Sequence, residues 1–440
     1  MSFQDDVELA PAVSGRSKAV STRHLSAGSL IVSCEALGTV LIPEEKGKRC
    51  DTCHRNPPQL QKCSGCASYF YCSATCQALQ WQSHHKKICK RFNQYTASVN
   101  FQALAAHEKM DALLLSHLVA QLDSTADVGE RVMDLLHGPV DPPALPIVYA
   151  SRRVAGSLVR DLYSRFGNNN FVIHSHLTTL GHGIFPIASR LFNHSCLPNA
   201  AAKYILSPSS PPTMQVVALR DIPPGEEICL PYLDPALLQS RQQIFQLSYG
   251  FECRCNSCLF FDKVGPIPTP PADPAQKEDL VRQLIQFKIT PYNGLALATS
   301  PDPFPSELLP VFHESFITSL AETFRNASHD GEYSTAMTSG AALLALYRLI
   351  YPPNYPQIGV HSPGRRWILP DARFLAGMHL LELAKTAWNS TVSEDNNASI
   401  ETATQHLNEA KVVLGIFGSE GDADGPLVEI STLDTLLTVI

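Results

Sequence analysis

The chain has 440 residues, and at roughly 100–200 residues per domain that length points to about two to four domains. Hydrophobic residues make up 44% and charged residues 17%, enough for a packed core and too apolar for a disordered chain. A net charge of −7 disfavours a globally basic nucleic-acid binder, and there is neither an apolar run of about 18 residues nor a signal-peptide start. The expectation is a soluble, intracellular protein.

In chain order, residues 1–14 read as a loose tail, and residues 15–42 as β-like, with short apolar runs at 29–33 and 38–42 between turn signals. Residues 50–89 are too rich in Cys, Pro and Gly for regular structure until a helix-like stretch begins at Ser73. Residues 92–138 carry helical periodicity through Leu113, Leu114, Leu118 and Leu122. Short β-like runs return over 170–250, broken at Ser207–Pro212 and Asp221–Gly225. A proline-rich linker from Gly265 leads to helical segments over 276–440, clearest at 343–350, 374–383 and 403–414. These helices suit a short solenoid of stacked pairs, although no strict 34-residue period is present.

Thirteen cysteines are clustered, seven over Cys50–Cys89 and three over Cys253–Cys258. In a reducing compartment such grouping points to metal ligands, zinc first, and an odd total fits complete disulfide pairing poorly. The first array is Cys50-x2-Cys53, Cys63-x2-Cys66, Cys72-x3-Cys76 and His85-x3-Cys89, eight ligands for two tetrahedral sites. His85 stands one helical turn before Cys89, whereas His84, the competing ligand, has a poorer five-residue offset. A module of this size cannot bury a sufficient core, so metal would carry its folding energy. Between Lys46 and Arg91 there are nine Lys or Arg and one acid, Asp51, which leaves a mildly basic surface once thiolates and metals are counted. Direct DNA contact through this face is a weaker reading than a solvated face.

The sharpest motif is Asn193-His194-Ser195-Cys196-Leu197-Pro198-Asn199, followed by Gly225-Glu226-Glu227-Ile228, Tyr232 and Asp234. Tyr249-Gly-Phe251-Glu then precedes Cys253-x-Cys255-x2-Cys258, one ligand short of a closed zinc site. Cys196 is the natural fourth, which requires two distant motifs to meet in space. Cys34 and Cys229 remain unassigned and read as small apolar residues rather than nucleophiles.

The first array, with Tyr71-Cys72-Ser73 and Trp81, resembles the MYND zinc finger. That family usually has one residue fewer between its sixth and seventh ligands. The resemblance implies interleaved ligation, with Cys50, Cys53, Cys72 and Cys76 on one ion and Cys63, Cys66, His85 and Cys89 on the other. The second set of motifs resembles the SET domain of lysine methyltransferases with a post-SET zinc at Cys196, Cys253, Cys255 and Cys258. Together with Gly331-Glu-Tyr and the stretch Tyr351–Gly359 in the helical region, the chain resembles the SET-and-MYND (Smyd) family.

The fold class so implied is α+β multidomain: a β-rich SET domain split by an inserted MYND zinc finger, a post-SET zinc site and a C-terminal α-helical TPR-like domain. Its expected boundaries are a tail (1–14), the first SET part (15–49), the finger (50–89), a helical insert (90–167), the SET core (168–250), post-SET (251–262), a linker (263–275) and the helical domain (276–440). The implied activity is S-adenosylmethionine-dependent methylation of lysines on histone or non-histone proteins. The alternative is a weak or inactive scaffold that binds proline-rich peptides and regulates transcription. By the resemblance, Asn193 and His194 contact S-adenosylmethionine, Asn169 of Asn169-Asn170-Phe171 lies near its methionine end, and Phe251 packs on the adenine. Tyr232 is the catalytic tyrosine beside the methyl-transfer channel. Arg16 lies in the family's Gly-x-Gly, which reads Gly15-Arg16-Ser17 here and puts a serine where backbone approaches cofactor. Pro231, before the tyrosine, would remove a strand donor. Three structural zinc ions, a protein lysine substrate, proline-rich partners of the finger, a monomeric state and a place in cytoplasm or nucleus complete the expectation.

Overall fold

The computed structural model describes residues 6–11, 16–122, 127–139, 143–149, 154–176, 178–287, 304–351, 376–394, 398–422 and 425–439. Gly15, Phe374 and the stretch after Tyr351 lie outside them.

The chain opens with strand β1 (Val7–Ala10) paired antiparallel to β2 (Lys18–Ser21). The expected loose tail is therefore partly a strand: Val7 is buried in the same core as Ala19, which offsets the entropy of ordering it. Next come β3 (Leu30–Glu35) and β4 (Gly38–Leu41), and then the cysteine-rich segment with its small hairpin of β5 (Gln61–Lys62) and β6 (Phe70–Tyr71). Helices at Lys86–Thr96, Ala106–Leu122 and Gly156–Tyr163 follow.

β7 (Asn170–Ser175) and β8 (Thr178–Ile184) then return to the first strands. β8 lies between β7 and β4, with Leu41 opposite Gly181. Any side chain at Gly181 would collide with the Val40 carbonyl, so this close approach requires glycine. β10 (Ala200–Ile205) and β11 (Thr213–Ala218) extend a second sheet in which β11 pairs with β3. Strands from both sides of the cysteine-rich segment thus share two sheets, as expected of a β domain carrying an insertion. A common core of Ile31, Val32, Phe171, Ile173, Tyr204 and Val216 seals them.

Three expected boundaries fall inside continuous helices. Lys86–Thr96 crosses 89/90, Phe166–Asn169 crosses 167/168, and Asn256–Val264 crosses 262/263. In each case the motif ends before the backbone hydrogen bonding does. The next helix, Pro274–Gln286, begins where Asp273 accepts the Gln276 N–H at 2.9 Å.

Beyond it, helices Glu314–Asp330, Tyr333–Ile350, Ala376–Glu394, Ala398–Phe417 and Pro426–Val439 pack in succession. Their cores contain no thiolates, being built from Leu343, Leu346, Phe316, Leu381, Leu383 and Leu407. This helical stack docks on the β domain through residues 417–422. Lys203 Nζ donates to the Phe417 carbonyl at 2.7 Å, Gly421 N–H to the Tyr204 carbonyl at 2.8 Å, and Arg49 grips the Asp422 carboxylate at 2.7 and 2.9 Å.

Candidate active site and its thiolate scaffolds

In the first array, the Ser73 hydroxyl accepts the Cys76 N–H and starts helix Ala74–Gln80 with Cys76 in its first turn. The side chains of Cys50, Cys53, Cys72 and Cys76 converge, as do those of Cys63, Cys66, His85 and Cys89, with all ligand atoms of each set within 4.8 Å of one another. Sulfur–sulfur separations of 3.6 Å (Cys53–Cys72), 3.4 Å (Cys72–Cys76) and 3.7 Å (Cys63–Cys89) suit zinc, since a tetrahedron with arms of about 2.3 Å has edges of about 3.8 Å. His85 Nε2 lies 3.3 Å from Cys63 Sγ and 3.6 Å from Cys66 Sγ.

His84 points elsewhere and stacks on His117 at 4.1 Å. The reason is a π-turn over Trp81–His85 between two α-helices. A π-turn accommodates one extra residue in a helix, and this chain has one more residue than usual between Cys76 and His85. The insertion is absorbed there, and His85 is returned to the ligand face.

The basic surface expected of this segment is partly neutralised. Lys46 pairs with Asp51, and Arg49 pairs with Glu45 and Asp422.

The second array draws on distant segments. β9 (Asn193–His194) and β12 (Cys229–Leu230) form a short parallel pair, Asn193 opposite Cys229 and Leu230 opposite His194. The β10–β11 hairpin lies between them in sequence. Asn199 pins the crossing: its amide donates to the Glu226 carboxylate at 2.8 Å and the Glu227 carbonyl at 2.9 Å, while its Oδ1 accepts the Cys229 N–H at 2.9 Å. Immediately after β9, Cys196 Sγ stands 3.9 Å from Cys253 and 3.7 Å from Cys258, and Cys255 completes the set.

Sequence reading missed Arg241 because nothing in its local pattern marks it. Its side chain is buried, donating to the Pro235 carbonyl and the Ser257 hydroxyl at 3.0 Å each. Burial works against its charge, and the four cysteines of this set favour it, as expected for a counter-cation to a tetrathiolate zinc of net charge −2.

Between the sheet and this array lies a small cavity lined by Asn168, Phe171, Ala188, Ser189, Phe192, Leu230 and Tyr232. The Tyr232 hydroxyl donates to the Phe192 carbonyl at 2.6 Å, and its ring packs with Tyr249 at 5.1 Å and His194 at 5.3 Å. Burial pushes the phenol up to about 12, with Arg16 opposing, so it stays protonated at neutral pH. Arg16 donates to the carbonyl of Ser189 at the cavity wall.

His194 Nδ1 accepts the Tyr232 N–H at 2.9 Å, which leaves the Nε2 proton for the Cys196 sulfur at 3.2 Å. Both ring nitrogens are thereby engaged, tying the tyrosine to the thiolate cluster. Asn193 donates to the Ser17 carbonyl at 3.2 Å and to Glu227 at 2.9 Å. Phe251 stacks on Phe245 at 5.1 Å.

Asn169 is held by main-chain carbonyls. Its amide donates to the Leu136 and Arg165 carbonyls at 2.8 and 2.7 Å, and its neighbour Asn168 lines the cavity. The short helix Phe166–Asn169 turns the two side chains to different sides. Ser17 is outside the left-handed region, and Pro231 falls just after β12 ends at Leu230, where no ladder donor is needed. Cys34 and Cys229 stand apart from the three arrays, and burial pushes the Cys34 thiol up to about 12 and raises that of Cys229.

Residues 18–233 match the family model of the SET domain. The chain is also 27% identical over 313 residues to the N-lysine methyltransferase SMYD2 of Gallus gallus, which covers 66% of this chain and 68% of that relative. Residues 18–233 are thus similar to a SET domain, and the chain is similar to lysine methyltransferases of the Smyd type. Its SMYD2-B relative in Xenopus laevis is 28% identical over 54% of this chain, and the SMYD2 of Rattus norvegicus 30% identical over 55%. The match spans about 57% of the length of each of these two relatives. The cavity residues Asn168 to Tyr232 all fall inside the matched SET segment. The donor sets suit zinc at three places. The cavity suits a ligand, because Asn168 Oδ1 and Ser189 Oγ are buried on its wall with no hydrogen-bond partner among the described residues. No helix among the described residues is long and apolar enough to cross a membrane.

Proposed function

We propose that this Smyd-type chain methylates lysine side chains of proteins, histone or non-histone, with S-adenosylmethionine as donor. The observation that supports the reading is the pairing of β9 with β12, beside which Phe192, Leu230 and Tyr232 line one cavity next to the Cys196 array. When bound, S-adenosylmethionine supplies an electrophilic sulfonium methyl: the lysine nitrogen bonds to its carbon as the carbon–sulfur pair returns to sulfur, and the alkylated nitrogen sheds one proton.

The chain's own residues do the rest. A lysine amine has an ordinary value near about 10.4 and attacks only when neutral. Walls of Phe171, Ala188, Phe192 and Leu230 withhold water and favour the neutral form. The Tyr232 hydroxyl, its proton held by the Phe192 carbonyl, presents its oxygen lone pairs to an amine N–H and so aims the nitrogen. Arg16, Asn193, His194 and Phe251 border the place assigned to the cofactor. His194 and Asn193 would meet it through main chain, since their side chains are engaged elsewhere.

On this reading residues 15–49 and 168–250 are catalytic, 50–89 are a MYND finger, 251–262 close the site, and 276–440 form a TPR-like helical domain. Exposed Leu79 and Trp81 on the finger support docking of proline-rich peptides. A monomer in cytoplasm or nucleus is consistent with the same reading. The test is transfer of radiolabelled methyl to protein in cell extract. Tyr232→Phe is expected to lower the rate about 100-fold while leaving cofactor affinity within a few-fold. No cofactor binding by calorimetry, together with no transfer by the unaltered chain, would sink the enzyme reading in favour of a scaffold.

A further inference from the structure

We infer that Asn168 sets how many methyl groups a lysine receives, and that the chain is chiefly a monomethylating enzyme; the inference rests on the methyltransferase reading above. Asn168 sits on the short helix Phe166–Asn169 and lines the cavity that Tyr232 also lines. Its Nδ2 donates to the His137 carbonyl at 3.3 Å, which fixes the amide and turns Oδ1 away from that carbonyl. Oδ1 is buried and has no hydrogen-bond partner among the described residues. A buried acceptor without a donor is costly, so one kept at a cavity wall points to a ligand that brings an N–H.

The remaining wall selects the ligand. Phe171, Phe192, Leu230 and Ala188 admit a narrow apolar stem, and the hydroxyls of Tyr232 and Ser189 are the other polar oxygens on the wall, of which Tyr232 is the one already oriented by a carbonyl. A neutral lysine amine has two N–H bonds and one lone pair. With one N–H on the Tyr232 hydroxyl and one on Asn168 Oδ1, the lone pair is left to face the reacting methyl. A monomethylated amine has a single N–H. Its new methyl must lie against one of the two oxygens, which loses a hydrogen bond and leaves a buried acceptor unpaired. Second transfer is thereby slowed.

The test uses full-length protein, hypomethylated cell-extract protein and radiolabelled S-adenosylmethionine, with acid hydrolysis and separation of mono-, di- and trimethyl-lysine. The unaltered chain is expected to give mainly monomethyl-lysine. Asn168→Leu, close in shape and without an acceptor, should raise the dimethyl-to-monomethyl ratio about tenfold, the range of one hydrogen bond. Asn168→Ala should move it in the same direction, and Asn168→Asp, which keeps the acceptor, should preserve the monomethyl pattern at a lower rate. Cofactor affinity should stay within about twofold throughout. Product ratios unchanged in both Asn168→Leu and Asn168→Ala, or a weakened cofactor affinity with unchanged ratios, would overturn the assignment. Failure of the unaltered chain to transfer any methyl would instead overturn the enzyme reading itself.

Discussion

The two cysteine arrays use the same ligand chemistry on opposite plans. The finger draws all eight ligands from a continuous stretch, and the thiols themselves, with Tyr69, Tyr71 and Phe92, make up its core. The post-SET array joins Cys196 to Cys253, Cys255 and Cys258, and its neighbours are Tyr232, Phe245, Tyr249 and Phe251. On the proposed reading, metal in the first place would fold a module, and in the second it would fasten the segment beside Tyr232. The lesson is that loss of an ion should be read by what its ligands connect, since the coordination itself is alike.

The largest expected effect tests that contrast directly. Cys196→Ser should reduce bound zinc from about three to about two per chain and cut methyl transfer by more than about 100-fold, whereas Cys50→Ser should also lose metal yet keep transfer within about fivefold. Metal analysis alongside the transfer assay decides it, and equal losses of activity in both variants would erase the distinction.

Arg241→Met sharpens the comparison next, because its buried guanidinium faces the four cysteines of the second array, whereas the buried Arg49 beside the first is paired with Glu45 and Asp422. Removing it leaves the thiolate charge without its partner and should cost about 3 kcal/mol in denaturant unfolding, with faster release of one zinc to a chelator.

A region without thiolates supplies the control for acid. His379, fully buried among the C-terminal helices, donates its Nε2 proton to the Gly340 carbonyl, and burial lowers it to about 4. The unfolded chain binds its proton below about 6.5 and the folded chain only below about 4. Stability is therefore intact above the first value and lost as pH falls between the two, by up to about 3 kcal/mol. His379→Gln should flatten that loss in thermal melts of the chelated protein.

Smallest is Ser17→Gly. Since Ser17 already avoids the left-handed region, cofactor affinity should change by no more than about twofold, measured by calorimetry.

The ligand cysteines were legible because zinc demands fixed residue types at short spacings. Asn193, His194 and Tyr232 were legible for a similar reason, lying in compact motifs. The strand at Val7–Ala10 escaped because its pairing partner, Lys18–Ser21, is not adjacent in sequence and the strand itself is only four residues long. Asn168 and Arg241 escaped for a different reason: their roles depend on what surrounds them in space, and an Asn among three asparagines carries no period or spacing that separates one from the next. The choice between His84 and His85 hung on a local change of helical pitch that no propensity announces.

The crossing of β9 with β12 also dictates an order of assembly. The β10–β11 hairpin closes through a short turn and can form early, while β12 must come back past it to lie beside β9. Contacts of long sequence separation form late because the loop they close must first be ordered. During synthesis the finger ligands are all present long before Cys253 is made. On the proposed reading, the first two metal sites can be completed before the third, and the cavity that Tyr232 lines gains its neighbouring cysteine array only after Cys253–Cys258 are made.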